Sequence, residues 1–255
     1  MMDSKRKIVL ITGGGRGLGR SMALRLAQGG RDLILTYHSR RDEAESTAAE
    51  ARALGAQVAV LPLDVGDSRR FVEFAAEVRV LLADLWQRQH FDALVNNAGV
   101  GLHAPFVDTT ESQFDELFRI HLKAPYFLTQ ALLPQLADGG RILNISSGLA
   151  RFSLPGSSAY AVMKGGVEVL SRYLARELGA RGISVNTLAP GAIATDFGNG
   201  LVRDNPAVNQ FVAAQTALGR VGLPEDIGPV VAALLADDSH WITGQRIEAS
   251  GGMFL

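Results

Sequence analysis

The chain has 255 residues with no cysteine, which excludes disulfides, thiolate nucleophiles and cysteine-based zinc sites. A net charge of −1 leaves no basic surface for nucleic acid or anionic lipid. With 47% hydrophobic and 20% charged residues, it reads as a globular protein that buries its own core, and the missing thiols fit a reducing cytoplasm.

Residues 1–7 are polar and basic, and the apolar run 8–11 behind them is too short for a signal peptide or membrane span. They are read as a lead into a buried strand at 7–11. That strand runs into Thr12, Gly13, Gly14, Gly15, Arg16, Gly17, Leu18 and Gly19, ahead of a helix at 18–28. Glycines placed here let the backbone turn sharply and approach a pyrophosphate, whose charge meets the positive end of the helix. The strict G-x-G-x-x-G spacing is absent; the fitting set is Gly13, Gly17 and Gly19. A second strand at 32–37 leads through His38, Ser39, Arg40 and Arg41 into a helix at 41–54, with no carboxylate before Asp42. NAD sites carry an acidic side chain here and NADP sites a base. Ser39 and Arg40 are therefore candidate 2′-phosphate contacts, and His38 is a partly charged one. NADP(H) is favoured, and NAD(H) stays open.

A third strand at 57–63 precedes Asp64 and Val65, then a helix at 68–87. The fourth, 91–95, ends in Asn96, Asn97, Ala98 and Gly99, and a long helix covers 111–136. The fifth, 141–145, closes on Ser146 and Ser147, followed by a helix at 158–178, a strand at 182–188, a helix at 224–235 and a strand at 245–249. Most strands are continuous apolar runs, as in sheets buried on both faces. The alternation implies right-handed crossovers and an α/β fold, a Rossmann-type doubly wound seven-stranded parallel sheet, in one domain over 1–255. Only 189–223 lacks a clear pattern. It follows the sixth strand at its carboxyl end, so it is read as a substrate-binding loop region.

Tyr160 and Lys164 lie four apart and so share one helical face, on a helix that Ser157 or Ser158 can cap. A free phenol titrates near pH ~10. A positive charge about 4 Å away, at an effective dielectric of ~20, contributes roughly 4 kcal/mol and would draw it toward neutrality. General acid–base catalysis works best there.

In chain order, Thr12-Gly13-x3-Gly17-x-Gly19, Asp64-Val65, Asn96 to Gly99, Asn144 to Ser147, Tyr160-x3-Lys164, Pro190-Gly191 with Thr195, and Thr243-Gly244 resemble the short-chain dehydrogenase/reductase family over nearly the whole chain. The resemblance implies hydride transfer between a nicotinamide and a carbonyl or alcohol. It implies that Thr12, Gly13, Gly15, Arg16, Gly17, Leu18 and Gly19 form the dinucleotide turn, with Arg16 where NADP-binding relatives often carry a base. Asp64 and Val65 would meet the adenine, and Asn97, Ala98 and Gly99 would pack beside the adenosine. Pro190, Gly191, Ile193 and Thr195 would embrace the nicotinamide. Ser147, thirteen residues before Tyr160, would orient the substrate carbonyl. Tyr160 would exchange the hydroxyl proton, and Lys164 would also grip the ribose. Where many relatives use an asparagine to hold a relay water, this chain has His121, read as holding that water or relaying the proton itself. The small pair Gly165-Gly166 implies close packing in a homodimer or homotetramer.

The expected substrate lining is apolar, with Leu149, Phe152 and Phe197 joined by Val100, Gly101, Leu154, Ala192, Ile193 and Phe211, and Arg151 near enough to meet a carboxylate. This points to a small carbonyl or alcohol. The alternatives are a 3-oxoacyl-carrier-protein reductase and a catalytically silent dinucleotide sensor. The first lacks basic residues over 132–140 for an acidic carrier, and the second is expected to lose the tyrosine or lysine. A nucleotide-sugar epimerase or dehydratase would have a different glycine spacing. Histidines 38, 90, 103 and 240 are scattered, so no metal site is expected.

Overall fold

The computed structural model describes residues 6–255; most of the expected polar lead, through residue 5, lies outside them. Seven parallel strands form one sheet: β1 (Ile8–Ile11), β2 (Asp32–Tyr37), β3 (Val58–Pro62), β4 (Phe91–Asn96), β5 (Leu136–Ile145), β6 (Ser184–Pro190) and β7 (Arg246–Ala249). Their order is β3-β2-β1-β4-β5-β6-β7, the doubly wound arrangement.

Successive strand side chains point to opposite faces, so one strand feeds two cores. Ile8 and Leu10 of β1 enter the first core, beneath α3 (Phe71–Trp86), α5 (Ala124–Leu132) and the end of α6 (Ser158–Leu178). Val9 and Ile11 enter the second, beneath α1 (Gly17–Gln28), α2 (Arg41–Ala53) and α9 (Pro224–Leu234). Each fully buried Leu, Ile or Phe contributes about 1.5–3 kcal/mol, and this double burial explains the unbroken apolar runs. The winding reverses between β1 and β4, which pair through Val9–Ala93 and Ile11–Val95. Their carboxyl ends therefore open a crevice at the switch point. No helix among the described residues is long and apolar enough to cross a membrane.

Three expectations are corrected. The long helix at 111–136 is broken: α4 (Glu111–Phe118) runs into a π-helical turn at Arg119–Lys123, and only then into α5. The cause is Pro125, which has no N–H for the carbonyl four residues back, that of His121, and whose ring crowds that oxygen. Pro134 then tightens the end into a 3-10 turn, and β5 begins at Leu136 rather than 141. Second, 189–223 is not a bare loop. It carries α7 (Leu201–Asp204) and α8 (Pro206–Ala214), the latter started by Asn205, whose side chain accepts from the Ala207 and Val208 N–H groups, with proline at the next position. Third, Ser157 occupies the N-cap of α6 but makes no side-chain cap hydrogen bond.

Candidate active site

The glycine turn joins β1 to α1. Gly13 and Gly17 have φ of +65° and +52°, a region L side chains rarely adopt. A Cβ on Gly19 would overlap the Gly13 carbonyl oxygen, and one on Gly15 would lie 2.9 Å from the Ala44 nitrogen. Arg16 at the N-cap offers α1 no side-chain acceptor, so an anionic ligand fits the free N–H groups of the first turn. Thr12 Oγ1 accepts from the Asn97 and Ala98 N–H groups at 2.9 and 3.0 Å, and Asn97 Nδ2 donates back to the Thr12 and Gly13 carbonyls. These bonds lock the β1 and β4 turns together across the crevice. Thr36, which the sequence did not single out, receives the Gly13 N–H on its hydroxyl and the Gly14 N–H on its carbonyl.

Around the crevice, α6, β5 and the π turn bring Ser147, Tyr160, Lys164 and His121 together. Lys164 is buried; its Nζ donates to the Ile145 carbonyl at 2.7 Å and lies 5.5 Å from the centre of the Tyr160 ring. Burial pushes the ammonium down to about 7. Desolvation also raises the Tyr160 phenol above its ordinary value, only partly offset by its hydrogen bond with Ser147. The expected descent of the tyrosine toward neutrality is thus corrected: burial weakens the very cation that was to lower it. The protein's own groups keep Tyr160 protonated at neutral pH, as a donor.

His121 is 1% exposed and meets the Tyr160 ring edge-on, centroids 5.0 Å apart at 84°. Its Nε2 lies 2.7 Å from the Val100 carbonyl and 3.2 Å from the Val100 nitrogen. The shorter contact requires Nε2 to carry the proton and donate. Nδ1 is then a bare acceptor, buried and without a hydrogen-bond partner among the described residues. Desolvation, with the nearby Lys164 second, holds the imidazole well below its ordinary pKa, so it stays neutral.

The protein-family model described as enoyl-(acyl carrier protein) reductase matches residues 13–254. The 3-oxoacyl-[acyl-carrier-protein] reductase of Staphylococcus epidermidis is 34% identical, covering 98% of this chain and 99% of that one. The promiscuous reductase LugOII superposes with a TM-score of 0.92 at 36% identity over 98% of each chain. The angucycline C-6 ketoreductase LanV, solved with bound NADP, gives a TM-score of 0.92 at 34% identity over 97% of this chain and 95% of its own. The chain is a short-chain dehydrogenase/reductase. It belongs to a family of oxidoreductases acting on carbonyl and alcohol groups.

In this short-chain dehydrogenase/reductase the two adjacent serines have separate fates. Ser146 is buried, and its hydroxyl donates to Glu168 Oε1 at 2.7 Å, whereas Ser147 bonds Tyr160 and accepts the Leu149 N–H. Glu168 also accepts from Arg246 Nε at 2.8 Å, and Arg246 continues to Glu248. Arg151 is corrected by the same chain of charges. It forks onto both oxygens of Glu248 at 2.7 Å and donates to the Met253 and Phe254 carbonyls, so it is not free for a substrate carboxylate. Arg151 holds the Glu248 carboxyl down at about 2.

Phe197 stands 5.9 Å from the Tyr160 ring, and Phe152 packs on Phe254 at 4.8 Å, so the approach to Tyr160 is aromatic. Leu149 lies in the 3-10 turn just after Ser147. Pro190 ends β6, Gly191 packs against Ser250, Ile193 bridges to Gly222, and Thr195 caps Phe197 N–H beside Gly17. Gly99 abuts the His121 ring, where a Cβ would come within 2.6 Å of Cε1. Asp64 lies just past the end of β3 rather than closing it. One of its oxygens accepts the Gly66 N–H, the other lies 3.8 Å from His38 Nε2, and Val65 packs against the first core. His38, Ser39 and Arg40 are exposed at the end of β2. Leu18 packs on the second core from the first turn of α1. Missed altogether were Thr47, whose hydroxyl donates to the Gly15 carbonyl, and Glu43, which reaches toward Arg16 and Arg40. Glu43 sits three residues after Arg40, a spacing that could have been read.

Proposed function

We propose that the protein reduces an uncharged, apolar ketone or aldehyde with NADPH, Tyr160 giving its proton to the carbonyl oxygen. The observation carrying this reading is the Tyr160 hydroxyl, held as a neutral donor beside Ser147 and buried Lys164 at the mouth of the glycine-turn crevice. When bound, NADPH supplies the hydride to the carbonyl carbon. Ser147 orients the oxygen, Lys164 holds the ribose and hands a proton to the tyrosine, and His121 positions the relay through its bare Nδ1. Arg16, Ser39, Arg40 and His38 face the 2′-phosphate, in keeping with the NADP bound to LanV. The turn residues 12–19, Asp64, Val65, Asn97 to Gly99 and 190–195 hold the remainder, and the substrate packs on Leu149, Phe152 and Phe197. A 3-oxoacyl thioester is the second reading, favoured by the likeness to the Staphylococcus enzyme.

The chain forms one domain and works in the cytoplasm as a homodimer or homotetramer. Phe114, Phe118, Val162, Val169 and Tyr173, exposed on α4 and α6, offer the apolar face.

The test is NADPH against NADH oxidation over aromatic ketones, aliphatic ketones, aldehydes and 3-oxoacyl thioesters. Fastest turnover of an aromatic ketone with NADPH is expected; turnover of thioesters alone would move the assignment to the second reading. Binding of NADP+ without any turnover would overturn both. Within this reading, His121→Ala is expected to lower kcat by on the order of ten- to a hundredfold and change its pH profile. His121→Asn should recover much of the loss. An unchanged pH profile in His121→Ala would remove His121 from the relay.

A further inference from the structure

The corner between β2 and α2 holds a carboxylate among bases. Glu43 Oε1 accepts from Arg40 Nη1 at 3.2 Å. Its Oε2 lies 3.8 Å from Arg16 Nε, is shielded from solvent, and has no hydrogen-bond partner among the described residues. Arg16 is bracketed from the other side, its Nη1 3.8 Å from Asp196 Oδ2. Asp196 is itself bonded by Arg203, which also forks onto Asp204 in α7.

We propose that Glu43 is a coenzyme-specificity residue, setting how far a 2′-phosphate is preferred over a free 2′-hydroxyl. The inference rests on the reading that the adenosine ribose lies at Arg16, Ser39 and Arg40. Three effects act in one direction. The carboxylate repels a dianionic phosphate. It occupies part of the charge on the two arginines that phosphate needs, so those arginines must be drawn away before they can grip a ligand. Its orphaned oxygen is an acceptor that a ribose hydroxyl can fill and a phosphate cannot. The site is therefore less selective for NADP(H) than its arginines imply, and it admits NAD(H) as well. Asp196 competes for Arg16 in the same way but more weakly, because Arg203 already satisfies it.

The test is the dissociation constants of NADP+ and NAD+, measured by titration calorimetry on the full chain. Glu43→Gln is expected to tighten NADP+ about tenfold and leave NAD+ unchanged or up to roughly threefold weaker, so the selectivity ratio rises at least about tenfold. Glu43→Lys should raise the ratio further, Asp196→Asn less, and the gains should shrink at ~1 M salt, where the screening length falls to about 3 Å. An unchanged ratio in both Glu43 variants, or weaker NADP+ binding in Glu43→Gln, would overturn the assignment; the latter would mean that Glu43 only orients the arginines. Wild-type protein binding neither dinucleotide would instead overturn the proposed function.

Discussion

Replacing Tyr160 with phenylalanine is expected to lower kcat by about a thousandfold, while the NADP+ dissociation constant stays within about twofold. The substitution deletes one oxygen and keeps the ring, so the edge contact with His121 and the packing on Phe197 survive. What goes is the only donor that the crevice holds protonated against the carbonyl, and the Ser147 hydroxyl loses its partner. If Tyr160 merely shaped the pocket, KM would rise and kcat would change little. The expected pattern is the reverse, because proton donation matters in the transition state rather than in the bound ground state. Steady-state kinetics with calorimetry separates the two. Residual kcat within tenfold of wild type would remove Tyr160 as the acid.

Lys164→Met should do something less intuitive: abolish most turnover while making the protein more stable at neutral pH. Lysine ordinarily titrates at 10.5, and in the fold burial brings Lys164 to about 7. Between those values the unfolded chain binds a proton that the folded protein refuses. Stability is therefore lost as pH falls from about 10.5 to about 7, and the loss stays constant below. At neutral pH the penalty is roughly 4–5 kcal/mol. Methionine has no charge to desolvate, but it forfeits the bond to the Ile145 carbonyl and leaves that buried oxygen unpaired, costing about 1–3 kcal/mol. The net gain is about 2 kcal/mol, or roughly 4–8 °C in Tm for a chain of this size. The telling measurement is the Tm difference against pH. It should be largest near pH 7 and vanish or reverse above about 10.5. A variant less stable than wild type at pH 7 would contradict the account.

Much of this was legible because it is local. The unbroken apolar runs announced strands covered on both faces, and the glycine turn, the four-residue step from Tyr160 to Lys164 and the thirteen-residue step back to Ser147 are short-range patterns. What escaped depends on chain segments far apart. Arg151 reads as a free cation until Glu248, 97 residues away, is placed on it. The spacing of Tyr160 and Lys164 set their proximity, but only the packed fold shows the lysine buried enough to surrender its charge. Two misses were readable in principle. Asn205-Pro206 is a helix start inside the stretch taken for a loop, and Pro125 marks a break inside the stretch taken for one helix. Both were hidden by apolar periodicity, or its absence, weighed over too long a window.

The wide turn at Arg119–Lys123 has a consequence for how the chain can vary. In an α-helix each residue advances the direction of a side chain by roughly 100°, so the extra residue of a π turn re-indexes everything after it. With that offset, Leu117 stays buried on α4 while Ala124, Leu128, Thr129 and Leu132 face inward on α5. Removing one residue here would leave the composition of α5 intact yet swing Tyr126 and Phe127, now half-exposed, toward the core. The turn is an angular spacer shared by two tasks, seating His121 against Tyr160 and aiming the core face of α5. A change in its length cannot serve one without undoing the other.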